Sequence, residues 1–222
     1  MQPITVWGHW GAPNPWKVII ILKELKLPYT HRLIELSDVK KEPLISVNPN
    51  GRLPAIEDPN TGVKLWESGA IILYLVEQYD TEGKISNYTQ ADRMETQQWL
   101  LFQASGQGPC LGQLAWFARF HAEKLPSAID RYAQEAERLV KVLDSCLEKS
   151  KWLVGDKCTY ADLSFVTWAH VADGLFKQLG TAEVLDRSPN YVKWLDEMKS
   201  RPSVRECLEA ITAGRAEHGL PP

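Results

Sequence analysis

The sequence has little that would place it on a nucleic acid, in a membrane or around a metal. Its longest basic run is Lys40-Lys41, and its net charge is −3; a nucleic-acid binder carries a basic stripe. The longest apolar run, residues 18–22, is far shorter than the ~20 residues a membrane-spanning helix needs. The opening Met-Gln-Pro-Ile has neither the basic nor the apolar segment of a secretory signal. A cytoplasmic protein with no nucleic-acid or membrane partner is expected. Cys110, Cys146, Cys158 and Cys207 are scattered and form no C-x-x-C, which argues against a zinc site and a thioredoxin-type redox pair. Reduced thiols in a core are expected. His9, His31, His121, His170 and His218 contain no metal-spaced pair, so no metal is expected. No nucleophile elbow or Ser/His/Asp order is visible, and triad hydrolysis recedes with metal catalysis. A more local absence is the lack of any Tyr, Ser or Cys between Gln2 and Leu27.

What is present divides into two halves. The chain is 222 residues long with nine tryptophans, too many large side chains to leave in water, so a substantial core or a ligand pocket is implied. Up to about residue 82, strand and helix signals alternate. Residues 4–7 are β-type, and 15–26 carry Val18, Ile19, Ile21, Leu22 and Leu25 at helical spacing. An extended stretch covers 29–36, and 43–47 reads as a short helix before the turn at 48–51. Residues 53–56 and 63–65 flank the turn at 58–62 and form a hairpin. Residues 67–79 read as a helix. The order βαβ then ββα predicts a thioredoxin-like domain over 1–82.

Residues 83–89 read as a linker, and 90–222 as an all-helical domain, which makes the whole chain α+β. A long helix from about residue 90 meets Ser105-Gly106-Gln107-Gly108-Pro109, where a kink or break is expected. Further helices are expected over 128–149, 159–179, 191–200 and 202–212. Thr159 and Asp162 have the spacing of a capping box, with Cys158 and Leu163 as its hydrophobic staple.

Three stretches carry the chemistry: "WGHWGAPNPWKV", "VNPNGRLPAIED" and "KLWESGAIILYL". Each alone is weak. In this order and spacing they resemble the glutathione S-transferases, and "WLVGDKCTYADL" is similar to a run of that family's second domain. The resemblance covers essentially the whole chain. "LLFQASGQGPCLGQ" resembles a fungal subclass that includes the yeast nitrogen regulator and bears Asn at the thiol position.

The resemblance implies glutathione as co-substrate. It implies a cis Leu53-Pro54 bond beside a strand edge, where an extended peptide adds through its main chain. It places the γ-glutamyl carboxylate on Ser68 and the ammonium near Glu67, at a helix start that also reads as an ordinary cap. Lys40 or Lys41 is assigned to the glycyl carboxylate. Asn14, followed by Pro15, reads as an N-cap with proline at N1. Its side-chain oxygen can cap while its NH₂ donates outward to a thiolate. Trp10, Gln107, Trp116, Phe117 and Phe120 are the expected substrate pocket, against an alternative in which these aromatics are core. The implied activity is conjugation of glutathione to a small hydrophobic electrophile by a homodimer, in detoxification or secondary metabolism. The alternatives are glutathione-dependent disulfide or peroxide reduction, and a regulatory glutathione-binding module.

Overall fold

The computed structural model describes residues 1–87 and 89–219; Tyr88, in the expected linker, and residues 220–222 lie outside the described residues. The element order begins β1 (Ile4–Gly8), α1 (Pro13–Glu24), β2 (Tyr29–Leu33), β3 (Ala55–Asp58), β4 (Val63–Trp66) and α2 (Ser68–Tyr79). It continues with α3 (Gln90–Phe102), α4 (Gly108–Ala115), α5 (Pro126–Leu147), α6 (Tyr160–Leu179), α7 (Glu183–Asp186), α8 (Pro189–Lys199) and α9 (Pro202–Glu217). By internal contacts the chain forms two compact units. One comprises residues 1–86 together with the stretch from Pro202; the other comprises 87–201.

In the first unit, the four strands lie in the order β2-β1-β3-β4. β1 and β2 are parallel, with Val6 opposite His31. β1–β3 and β3–β4 are antiparallel, with Ile56 opposite both Val6 and Leu65. This is the thioredoxin-like sheet. Its core is Ile4, Val6, Ile19, Ile21, Ile56, Ile71 and Leu75, all fully buried. Each such aliphatic side chain contributes about 2 kcal/mol when removed from water.

Two local expectations are corrected. Helix α1 starts at Pro13, not at residue 15, and its N-cap is Ala12, which makes no side-chain cap bond. The sequence offers two prolines and either fits N1, because proline's fixed φ suits the first helical position. Residues 43–47 form turns and not a helix. Bonds from Val47 and Asn48 N–H to the Leu44 carbonyl close one turn, and Pro49 disfavours its continuation through the preceding residue.

In the second unit, the Thr89 side chain caps α3 by accepting from Asp92 N–H at 3.1 Å. The expected break at 105–109 is a widened π-helical turn at Gln103–Gln107, after which the helix continues as α4. Proline lacks an N–H and its ring crowds the carbonyl four residues back, and a π turn relieves that locally. A second π turn, Trp116–Phe120, ends this run. The capping box forms. The buried Asp162 carboxylate accepts from the Thr159 N–H (2.8 Å) and hydroxyl (2.9 Å), the Leu153 N–H (3.0 Å) and Trp194 Nε1 (2.9 Å). Burial pushes that carboxyl up, and these donors oppose the rise. The short α7 was not anticipated.

Candidate functional site

Sheet register brings three segments of the first unit to one end. Trp7 pairs with Ala55, and Ala55 with Trp66. The loop after β1, the Leu53-Pro54 dipeptide before β3, and Glu67-Ser68 after β4 therefore emerge at the same edge. These are the segments in which the sequence placed Asn14, Leu53, Pro54, Glu67 and Ser68.

The Leu53-Pro54 peptide is cis. It is held from behind by Asn48, a buried residue whose Nδ2 donates to the Arg52 carbonyl at 2.6 Å and whose Oδ1 accepts from Asn50 N–H at 3.0 Å. Leu53 is half-buried and Pro54 buried. Leu53 stands just before the β-ladder, which opens at Ala55.

Glu67 is the N-cap of α2 and has φ +69°, a region that side chains other than glycine rarely enter. Ser68 follows it, buried, at the first helical position. Peptide N–H groups and the dipole at such a helix start favour an anion.

Asn14 occupies the second position of α1 and is half-buried. This corrects the cap reading. With the helix beginning at Pro13, the N–H groups of Trp16 and Lys17 belong to the helical ladder. Pro13 and Pro15 carry no N–H. Asn14 is therefore the one residue of positions 13–15 that carries a peptide N–H.

Behind Asn14 lies a residue the sequence reading passed over. Lys17 is 1% exposed. Burial draws its ammonium down to about 7, against the opposing attraction of the Glu67 carboxylate. The signal was a lysine set against the apolar run that begins at Val18, which helical spacing turns toward the core.

The two lysines separate. Lys41 pairs with Asp38 at 2.7 Å, and both are exposed. The Lys40 stem lies against the turn before Leu53, where a Cβ on Gly51 (φ +61°) would come within 3.0 Å of its Cγ. Trp10 stacks on Trp16 at 5.7 Å and meets His31 edge-on at 6.0 Å. Burial lowers His31 to about 4, so that ring is neutral at physiological pH. Burial also lowers His9, whose Nδ1 accepts from Gly11 N–H at 3.0 Å.

In the second unit, Gln107 is a core residue where the sequence suggested a ligand contact. It is 4% exposed, its Oε1 accepts from Gln103 at 3.0 Å, and its Nε2 donates to the Phe165 carbonyl at 3.4 Å. Phe117 stacks on Tyr132 at 5.8 Å. Trp116 and Phe120 are 50% and 57% exposed, 6.4 Å apart, and form an apolar surface. Among the described residues, no group of three or more His, Cys, Asp or Glu is arranged to hold a metal. No helix among them is long and apolar enough to cross a membrane.

Comparison with known proteins shows the family. The family model described as "Glutathione S-transferase, N-terminal domain" matches residues 2–77, and "Glutathione S-transferase, C-terminal domain" matches 115–210. The Glutathione S-transferase-like protein gedE of Aspergillus terreus is 47% identical, over 95% of this chain and 96% of its own. The transferase URE2P6 of Phanerochaete chrysosporium, solved with oxidized glutathione, superposes at TM-score 0.90 with 40% identity, over 96% of this chain and 98% of that one. Ure2p5 of the same fungus, cocrystallized with 1-(S-glutathionyl)-2,4-dinitrobenzene, gives 0.89 and 39%, over 97% of each chain. The chain belongs to the glutathione S-transferases, within their fungal Ure2-like subclass.

Proposed function

We propose that this protein binds glutathione at the first unit's sheet edge, ionises its thiol beside Asn14, and conjugates the sulfur to an apolar electrophile. In this reading the peptide's main chain adds at Leu53, beside Pro54. Its γ-glutamyl carboxylate sits at the start of α2 on Ser68, with its ammonium at Glu67. Its glycyl carboxylate meets Lys40, whose stem lies along the adjoining turn. Lys41, engaged with Asp38, is the weaker candidate. The thiol proton leaves to water. The thiolate then forms a new S–C bond with the electrophile: in substitution the leaving group departs to water as an anion with its bonding pair, and in addition the π bond breaks and water protonates the resulting carbanion.

The observation that carries the reading is the placement of Asn14 at the second position of α1, between two prolines. Lowering a thiol pKa by two units takes about 2.7 kcal/mol. A charge-assisted hydrogen bond supplies about 1.5–3 kcal/mol and the helix dipole about 0.3–1 kcal/mol, so the local groups suffice. Trp10, four residues before Asn14, is this reading's candidate contact to the electrophile. The same reading carries a cytoplasmic homodimer as its expected form.

The test is a pH titration of the thiolate absorbance of bound glutathione, for wild type and Asn14→Ala. Ionisation near neutral pH in the wild type, with a higher pKa in the variant, supports the reading. Identical titrations would return Asn14 to a structural role. A second reading is glutathione-dependent disulfide reduction, motivated by the oxidized glutathione in the Phanerochaete relative. The loop over residues 11–18 contains no cysteine, so such exchange has to run through glutathione's own sulfur. Turnover on a small disulfide, without turnover on any carbon electrophile, would favour it.

A further inference from the structure

The last helix belongs to the first unit. Val204, Cys207, Ile211 and Gly214 are its buried residues after Ser203, at the spacing of one helical face. Two polar ties fasten its start to the end of α1: Lys23 Nζ to Glu206 Oε2 at 2.6 Å, and the Ser203 hydroxyl donating to the Glu24 carboxylate.

Its C-terminal part reaches the loop that precedes Asn14. Gly214 lies flat against Trp10: a Cβ there would fall 2.5 Å from ring carbons Cδ2 and Cε3, so any side chain displaces the indole. The next residue, Arg215, donates from Nη1 to the Gly11 carbonyl at 3.3 Å. The His218 ring stands 6.1 Å from Trp10, with its Nδ1 2.8 Å from the Gly214 carbonyl. On its other side the loop is tied down by its own bonds. Trp16 Nε1 donates to the Trp10 carbonyl at 3.3 Å, and Ala12 N–H donates to the His9 carbonyl at 3.2 Å. The loop over residues 9–12 is thus gripped between α1 and α9. Asn14 stands two residues beyond it.

We infer that α9 is a positioning element of the thiol site: Gly214 and Arg215 clamp Trp10 and Gly11, and through that loop fix the first turn of α1 that carries Asn14. The inference rests on the reading of Asn14 given above. The geometry argues for more than generic packing. At position 214 of α9 the indole leaves no room for a Cβ. A guanidinium, and not an apolar group, holds the backbone oxygen of the loop. Loss of either contact releases the loop without removing any residue of the site itself.

The experiment uses the full chain with Gly214→Ala, Arg215→Met and Arg215→Lys, beside Asn14→Ala. Two quantities are read: amide hydrogen exchange over residues 9–16 without glutathione, and the thiolate titration of bound glutathione. Gly214→Ala and Arg215→Met are expected to speed exchange in the loop while the β-sheet amides keep wild-type protection. They should also raise the thiol pKa by at least about 0.5, a threefold loss of thiolate. Arg215→Lys should restore part of both. Should Gly214→Ala fail to fold, Arg215→Met, a change at a half-buried side chain, decides alone. If Asn14→Ala shifts the thiol but the α9 variants do not, the positioning role is refuted and the catalytic reading stands. If wild-type glutathione is not ionised near neutral pH, the catalytic reading fails, and the positioning role falls with it.

Discussion

Replacing Lys17 with methionine should stabilise the protein at neutral pH and flatten its response to alkali. The side chain is fully buried and its pKa falls from 10.5 to about 7. Between those values the unfolded chain holds a proton that the folded chain has released. Stability therefore rises with pH through this window and levels off above it. The whole window corresponds to about 5 kcal/mol, of which about 2 kcal/mol falls between pH 7 and pH 9. Methionine has similar length and no titration, so the wild-type-minus-variant difference isolates this contribution from every other ionisation. The assay is urea unfolding followed by tryptophan fluorescence at pH 7, 8 and 9. Lys17→Met should be the more stable at pH 7, since it removes a buried charge, and its advantage should shrink by about 2 kcal/mol by pH 9. Parallel pH dependence in the two proteins would refute the argument, because it would mean Lys17 keeps an ordinary pKa inside the fold.

Other expectations are simpler to check. Asp162→Ala strips one acceptor from four donors in the second unit, with an expected cost of about 3–5 kcal/mol. A fall of less than about 3 °C in Tm would contradict that assignment. Replacing Trp116 and Phe120 with alanine should leave stability within about 1 kcal/mol, because both rings are half exposed. Urea unfolding that shows a loss of several kcal/mol would refute this.

Much of the architecture was legible because it rests on local signals. The hairpin over β3 and β4 follows from Asp58-Pro59-Asn60-Thr61-Gly62, and α6 from its capping box. What the sequence hid was tertiary or ambiguous. Ala-Pro-Asn-Pro offers two helix starts, and propensity rules favour the asparagine cap over Ala12, which makes no cap bond. A π turn has no compositional signature, so Gly106, Gly108 and Pro109 read as a break. Lys17 drew no reading in the sequence, and only its helical phase places it inward. Gln107 looked available, and only the packing of α6 reveals that its amide donates to Phe165. The association of α9 with the first unit depends on contacts about two hundred residues apart, such as Arg215 with Gly11. No local pattern reports a contact of that span.

The π turn at Gln103–Gln107 has a consequence beyond accommodating Pro109. Each such turn holds one residue more than an α turn, and an α-helix advances about 100° per residue. Deleting one residue between 103 and 107 would restore α winding and rotate everything downstream by about 100° about the axis. Trp116 and Phe120 would then face a different direction with their chemistry unaltered. The helix works like a dial whose setting is a residue count, so a relative could redirect its aromatic pair by an insertion or deletion of one residue, without replacing any residue of the pair.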